Sequence, residues 1–199
     1  MHVGWLTLDA LSAGSSPLVR YGTEPGRYPE SATGTSSHDP SVPFLHHHHD
    51  VTLRNLRPGT KYYYVAQNSG ELEGESSSEH NFTTLAMPSR TGAFKCSIFG
   101  DMGVNKSAAT ITRLQQHVEH QFIMHVGDVS YADDLDGGRK YEGGRGYEAL
   151  YDRFGAMVEP LSSSKAYFVS PGNHDVSCHI LSDSDCIGAH RNFTPYNRR

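Results

Sequence analysis

The chain has 199 residues, 36% of them hydrophobic and 20% charged, with a formal net charge of -5 at pH 7, which is length enough for one large or two small domains, each with its own core. Its lysines and arginines are scattered, never more than two in succession, which argues against a phosphate-backbone groove and so against nucleic acid as a partner. No apolar run approaches the roughly 20 residues that a membrane-spanning helix needs, and the sequence after Met1 has neither the basic nor the apolar region of a secretory signal.

Residues 1–86 read as short β-favouring runs separated by Gly, Pro and Ser turns, with no helical period. Strands are predicted at 3–8, 18–21, 49–53 and 62–67. The last follows a Pro58-Gly59 turn, and Tyr62, Tyr63 and Tyr64 alternate faces within it, so they read as core and cross-strand packing. The run His46-His47-His48-His49 leads straight into strand residues Val51 to Leu53 and reads as a partly exposed approach to that strand. Such a segment predicts a small antiparallel sandwich. Pro88 and Gly92 interrupt both kinds of ladder, which makes residues 86–92 a linker.

Beyond the linker the pattern becomes strand, helix, strand, helix, strand. Strands are predicted at 94–99, 122–126 and 166–169; Ala108, Ile111, Leu114 and Val118 mark one helix, and Tyr147, Leu150, Tyr151, Phe154 and Val158 a second. Apolar strands joined by helices predict a parallel sheet buried on both faces, with right-handed crossovers. Such sheets collect ligands at the carboxyl ends of their strands.

Three motifs fall at those ends: Gly100-Asp101-Met102-Gly103, Gly127-Asp128-Val129-Ser130-Tyr131-Ala132-Asp133 and Gly172-Asn173-His174-Asp175. Each leading glycine is read as the residue that lets the backbone turn without a Cβ penalty. A single Gly-Asp is a turn or a helix cap. Three in register after successive strands bring carboxylate, phenolate, amide and imidazole groups to one edge, the donor set that Fe, Mn or Zn selects. Asp133, Asp134 and Asp136 lack the spacing of a calcium loop. Gly137-Gly138-Arg139 and Gly143-Gly144-Arg145 match no P-loop and read as a loop near the metal mouth.

The signs of compartment are indirect. Sequons begin at Asn81, Asn105 and Asn192. Cys178 and Cys186 flank a short polar loop and fit a disulfide in an oxidising compartment, whereas Cys96, in an apolar strand, reads as a small buried hydrophobe. Together these favour a secreted protein over a cytosolic one.

The order GDMG, GDVSYAD, GNHD resembles the calcineurin-like metallophosphoesterases, and Tyr131 points to their purple acid phosphatase branch. The segments Val3-Gly4-Trp5-Leu6-Thr7, Val19-Arg20-Tyr21-Gly22-Thr23, Leu56 to Tyr64 and Phe82-Thr83-Thr84 resemble that family's fibronectin-III-like domain, so the resemblance covers nearly the whole chain. Cys178, Cys186 and the run from Asn192 to Tyr196 are similar to a fungal and protist subgroup. The resemblance implies a fibronectin-III-like β sandwich over residues 1–86, lacking its first strand, followed over 92–199 by the amino-terminal half of an α/β metallophosphoesterase domain. It implies that Asp101 and Tyr131 bind Fe(III), that Asp128 bridges to a second, divalent metal (Zn, Mn or Fe), and that Asn173 binds this second metal through its amide oxygen. His174 is the implied catalytic residue, contacting phosphate or protonating the leaving group. The implied substrate is a small phosphomonoester, and the implied location secreted or vacuolar/lysosomal; the oligomeric state stays open.

The family completes its site with downstream histidines, in part through a G-H-x-H pattern that does not occur after Asn173 in this chain. His179 and His190 do follow, in a polar Ser/Asp/Cys-rich stretch, and read as surface residues. Met1 aligns with the interior of the family's first domain, so the chain reads as a fragment of a longer protein. Two alternatives stand beside the phosphatase reading: a phosphodiesterase on the same fold, which Tyr131 disfavours, and a non-catalytic protein acting through its fibronectin-like module.

Overall fold

The computed structural model describes residues 1–38, 46–70, 76–87, 89, 92–104, 106–117, 119–133, 145–176 and 193–197. The chain divides into two compact units, one built mainly from residues 1–93 and the other mainly from 94–199.

The first unit consists of antiparallel strands. β1 (His2–Thr7), β5 (His47–Thr52) and β4 (Thr35–Ser37) form one sheet in the order β1-β5-β4; β3 (Glu30–Thr33), β2 (Pro17–Gly22), β6 (Lys61–Asn68) and β7 (His80–Thr83) form the other in the order β3-β2-β6-β7. More and less buried positions alternate along β1, β2 and β5, as a half-buried pleat requires. Val3 and Val51 from the first sheet meet Val19, Tyr21, Tyr62, Tyr64 and Phe82 from the second in one core. Tyr62 and Tyr64 are buried and Tyr63 faces the other way, as their alternation predicts. The Tyr62 hydroxyl also accepts the Arg57 N–H at 3.0 Å, pinning the Pro58-Gly59 turn to the strand it precedes.

The histidine run differs from its predicted part. β5 begins at His47, and His49 lies inside it at 1% exposure, with Trp5 beside its ring. Thr7 Oγ1 donates to the Asp9 carbonyl at 2.8 Å and Ser36 Oγ lies 2.8 Å from His49 Nδ1, so His49 Nε2, 2.8 Å from Thr7 Oγ1, is the nitrogen that donates to Thr7. A hydroxyl on each side satisfies the imidazole and lets it replace an aliphatic core residue.

The second unit holds a parallel sheet in the order β10-β9-β8, from β8 (Cys96–Phe99), β9 (Phe122–Val126) and β10 (Ala166–Ser170). Helix α1 (Ala108–Gln116) buries Ile111 and Leu114. Helix α2 (Arg145–Ser162) buries Tyr151, Phe154, Val158 and Leu161, at the three- and four-residue spacing of one helical face, against Ile123 of the central strand. Ala108 faces solvent, and Val118 lies outside the described residues.

The sheet was expected to be buried on both faces, and among the described residues it is not. Ile98, Met124 and Phe168 stand side by side on the face away from the helices and, with Val126, are exposed by 62%, 39%, 53% and 52%. Both helices pack on the opposite face, where alternate residues Ile123 and His125 are buried. Cys96, expected to be buried, is a partly exposed free thiol because it sits on the edge strand β8.

Candidate metal centre

The carboxyl ends of β8, β9 and β10 feed three loops that carry the motifs. Among the described residues outside glycine only five have positive φ, and three of them are Asp101 (+54°), Asp128 (+50°) and Tyr131 (+50°). Aspartate tolerates the left-handed region through local hydrogen bonding; tyrosine rarely does.

The leading glycines act differently from the turn role expected of all three. Only Gly127 has positive φ, at +80°. Gly100 and Gly172 are required by close approach: a Cβ on Gly100 would lie 2.5 Å from the Val126 carbonyl oxygen, and one on Gly172 would lie 2.3 Å from Asp128 Oδ1.

These turns bring Asp101, Asp128 and Tyr131 together. The Tyr131 hydroxyl donates to Asp101 Oδ1 at 2.8 Å and lies 3.3 Å from Asp128 Oδ2. Burial, then the Asp101 hydrogen bond and the charges of both carboxylates, push the phenol well above the ordinary tyrosine range. A phenol oxygen held between two carboxylate oxygens is a compact all-oxygen donor set of the kind hard cations take. Among the described residues, no group of three His, Cys, Asp or Glu side chains is placed to hold a metal. The oxygen cluster depends on the tyrosine.

The third loop is tied to the second. The His174 backbone N–H donates to Asp128 Oδ1 at 2.8 Å, leaving Asp128 Oδ2 on the Tyr131 side. Asn173, the preceding residue, is exposed. The His174 ring lies against Tyr131, with centroids 4.2 Å apart, and its Nδ1 is 2.9 Å from Asp133 Oδ1. Asp133 is 1% exposed. A buried carboxylate on Nδ1 holds the ring in place and fixes that nitrogen as a protonated one.

Asp133 and Asp175 are the two residues whose roles the sequence reading missed. Each stands at the end of a motif, and the signal was a carboxylate there with no ligand role of its own. Asp175, also 1% exposed, accepts from Val129 N, Gly172 N and the Tyr151 hydroxyl. Of the remaining candidates, Asn81 lies exposed on β7, whereas Asn105, Asn192, Cys178 and Cys186 lie outside the described residues.

A cleft lined by Cys96, Ser97, His117, Glu119 and His120 sits at the amino ends of β8 and β9, the opposite end of the sheet from the motifs. Among the described residues no helix is long and apolar enough to cross a membrane.

A parallel sheet with carboxylate-bearing loops at its carboxyl ends, preceded by an all-β unit, is an arrangement found in known proteins. The structure of a purple acid phosphatase from yellow lupin seeds matches with a TM-score of 0.67 at 22% identity, covering 87% of this chain and 33% of that one, which establishes the shared fold. The family model of the purple acid phosphatase N-terminal domain matches residues 1–84. A probable purple acid phosphatase 20 of Arabidopsis thaliana is 32% identical over 202 residues, covering 100% of this chain and 40% of its own length. Acid phosphatase type 7 of Homo sapiens is 32% identical over 171 residues, covering 79% of this chain and 34% of its own. The chain is thus related to the purple acid phosphatases, matched over their amino-terminal portion, and it spans less than half the length of these relatives.

Proposed function

We propose that this chain supplies the amino-terminal part of an acid phosphatase that hydrolyses small phosphate monoesters at a centre of Fe(III) and a divalent ion, Zn, Mn or Fe. The observation that carries the reading is the Tyr131 hydroxyl in contact with both Asp101 and Asp128. In this reading residues 1–86 are a fibronectin-III-like domain and 92–199 the first half of a metallophosphoesterase domain. The tyrosine-to-backbone tie at Tyr62 and the shared core of two antiparallel sheets support the first assignment.

Asp101 and Tyr131 would hold the ferric ion, Asp128 would bridge, and Asn173 would hold the divalent ion through its amide oxygen. Bound metals of this kind supply charge stabilisation for an in-line displacement at phosphorus and a water of lowered pKa. The protein's own work is to place these oxygens and to manage one proton. His174, fixed by Asp133, would present Nε2 to the phosphate or to the leaving-group oxygen; as an imidazolium it would deliver the Nε2 proton there while keeping the Nδ1 proton on Asp133, and would be reprotonated from solvent. In the full-length protein the location would be secreted or vacuolar/lysosomal, with Cys178–Cys186 as a disulfide and Asn81, Asn105 and Asn192 as glycosylation acceptors.

Loading the chain with Fe(III) tests the ligand set. A visible phenolate-to-iron band is expected, abolished by Tyr131→Phe and weakened by Asp101→Asn. A band that survives Tyr131→Phe would remove the tyrosine from the ligand set. With four protein ligands shared between two metals, fewer than the usual three plus water each, the 199-residue chain is expected to show little turnover of an aryl phosphate.

A further inference from the structure

Two carboxylates are exchanged between the second and third motif loops. Asp128, on the second, accepts from the His174 N–H of the third at 2.8 Å; Asp175, on the third, accepts from the Val129 N–H of the second, with both oxygens 3.1 Å away. Asp175 also closes its own loop by accepting from Gly172 N at 2.8 Å, and receives the Tyr151 hydroxyl of α2 at 2.7 Å. Tyr151 is buried at 4% and Asp175 at 1%. A carboxylate taken this far out of water is costly unless donors surround it, and here they come from both loops and a helix.

We propose that Asp175, braced by Tyr151, is the positioning residue that sets the spacing between the Asp128 loop and the Asn173–His174 loop before any metal arrives. The juxtaposition that carries this is the reciprocal pair of carboxylate-to-backbone contacts, with the phenol of α2 behind one of them. Gly172 has no room for a Cβ against Asp128, so the loops are already in van der Waals contact, and the carboxylates fix their register. The proposal rests on the metal-centre reading for its purpose and on the contacts alone for its geometry. The donors to Asp175 are the Val129 and Gly172 amides and the Tyr151 hydroxyl, none of them a candidate metal ligand.

The test uses the 199-residue chain carrying Asp175→Asn, Tyr151→Phe or, as a destabilising control on the same helix, Val158→Ala. Two quantities are read: amide hydrogen exchange at His174, whose N–H donates to Asp128, against exchange at the core residue Ile123 in the metal-free chain; and Zn²⁺ affinity by calorimetry. In Asp175→Asn the His174 amide should lose at least about tenfold more protection than Ile123, and Zn²⁺ affinity should fall by roughly 10–100-fold, the usual loss for an outer-shell partner. Tyr151→Phe should move both in the same direction by less, and Val158→Ala should lower protection at the two amides equally. The proposal is overturned if Asp175→Asn also lowers both amides equally, or if Tyr151→Phe leaves His174 exchange unchanged. Should Asp175→Asn fail to fold, Tyr151→Phe decides alone. A wild-type chain that takes no Zn²⁺ would count against the metal reading, while the exchange comparison would still decide the role of Asp175.

Discussion

Tyr131 is a bulky residue at φ +50°, a conformation that costs of order 1–3 kcal/mol and persists only where neighbours enforce it. Asp101 shares the left-handed conformation at a smaller cost, with its side chain exposed. Asp101→Gly should therefore leave urea-unfolding stability unchanged or raise it by up to about 1 kcal/mol, while iron loading collapses; a clear loss of stability would mean that the carboxylate is structural. Asp133→Asn should free the His174 ring, which ¹⁵N shifts of its imidazole will report as a mixture of tautomers in place of one. His125 belongs to the same scale. It is buried, with Nδ1 3.0 Å from the Tyr167 hydroxyl, and burial holds its pKa below the ordinary 6.5 against the opposing pull of the Asp128 backbone and the carboxylates of Asp175, Asp101 and Asp128. The unfolded chain therefore binds a proton that the folded chain refuses, so this contribution is complete above about pH 6.5 and declines as pH falls below it. Unfolding at about pH 7.5 and about pH 5.5 should show a smaller acid loss in His125→Gln than in wild type; identical losses would remove His125 as the cause.

At the level of elements, the strands and helices that carry strong periodicity were legible. β9 is Phe122–Val126 as its largely apolar run, interrupted by His125, indicates, and the face of α2 follows from Tyr151, Phe154 and Val158. The short polar strands β3 and β4 were not, because Glu30–Thr33 and Thr35–Ser37 have no apolar alternation and exist as partners of β2 and β5. The convergence of Asp101, Asp128 and Tyr131 follows from strand-end placement. The exchanged carboxylates depend on tertiary geometry that no spacing encodes. Close packing of the loops gives another prediction: Gly172→Ala drives a Cβ to 2.4 Å from the Asp128 backbone nitrogen, so it should cost about 1–3 kcal/mol and suppress the iron band even though no ligand has changed. Normal iron loading in that variant would show that the loops have slack.

For the molecule as a whole, stability is expected to come chiefly from its two separate cores. Phe82 is 2% exposed and stacks on Tyr62 in the first, and Phe82→Ala should cost about 3–5 kcal/mol by urea unfolding. Differential scanning calorimetry should place that loss in one transition if the two units melt independently, whereas a single shifted peak would show that they unfold together. In both units the partners lie far apart along the chain. His2 pairs with Thr52, and the backbone N–H that secures Asp128 belongs to a residue 46 positions later. During synthesis the loop after β9 therefore emerges with Asp128 lacking its His174 backbone donor until the third loop has left the ribosome. The backbone contact that holds Asp128 is thus available only once both loops exist.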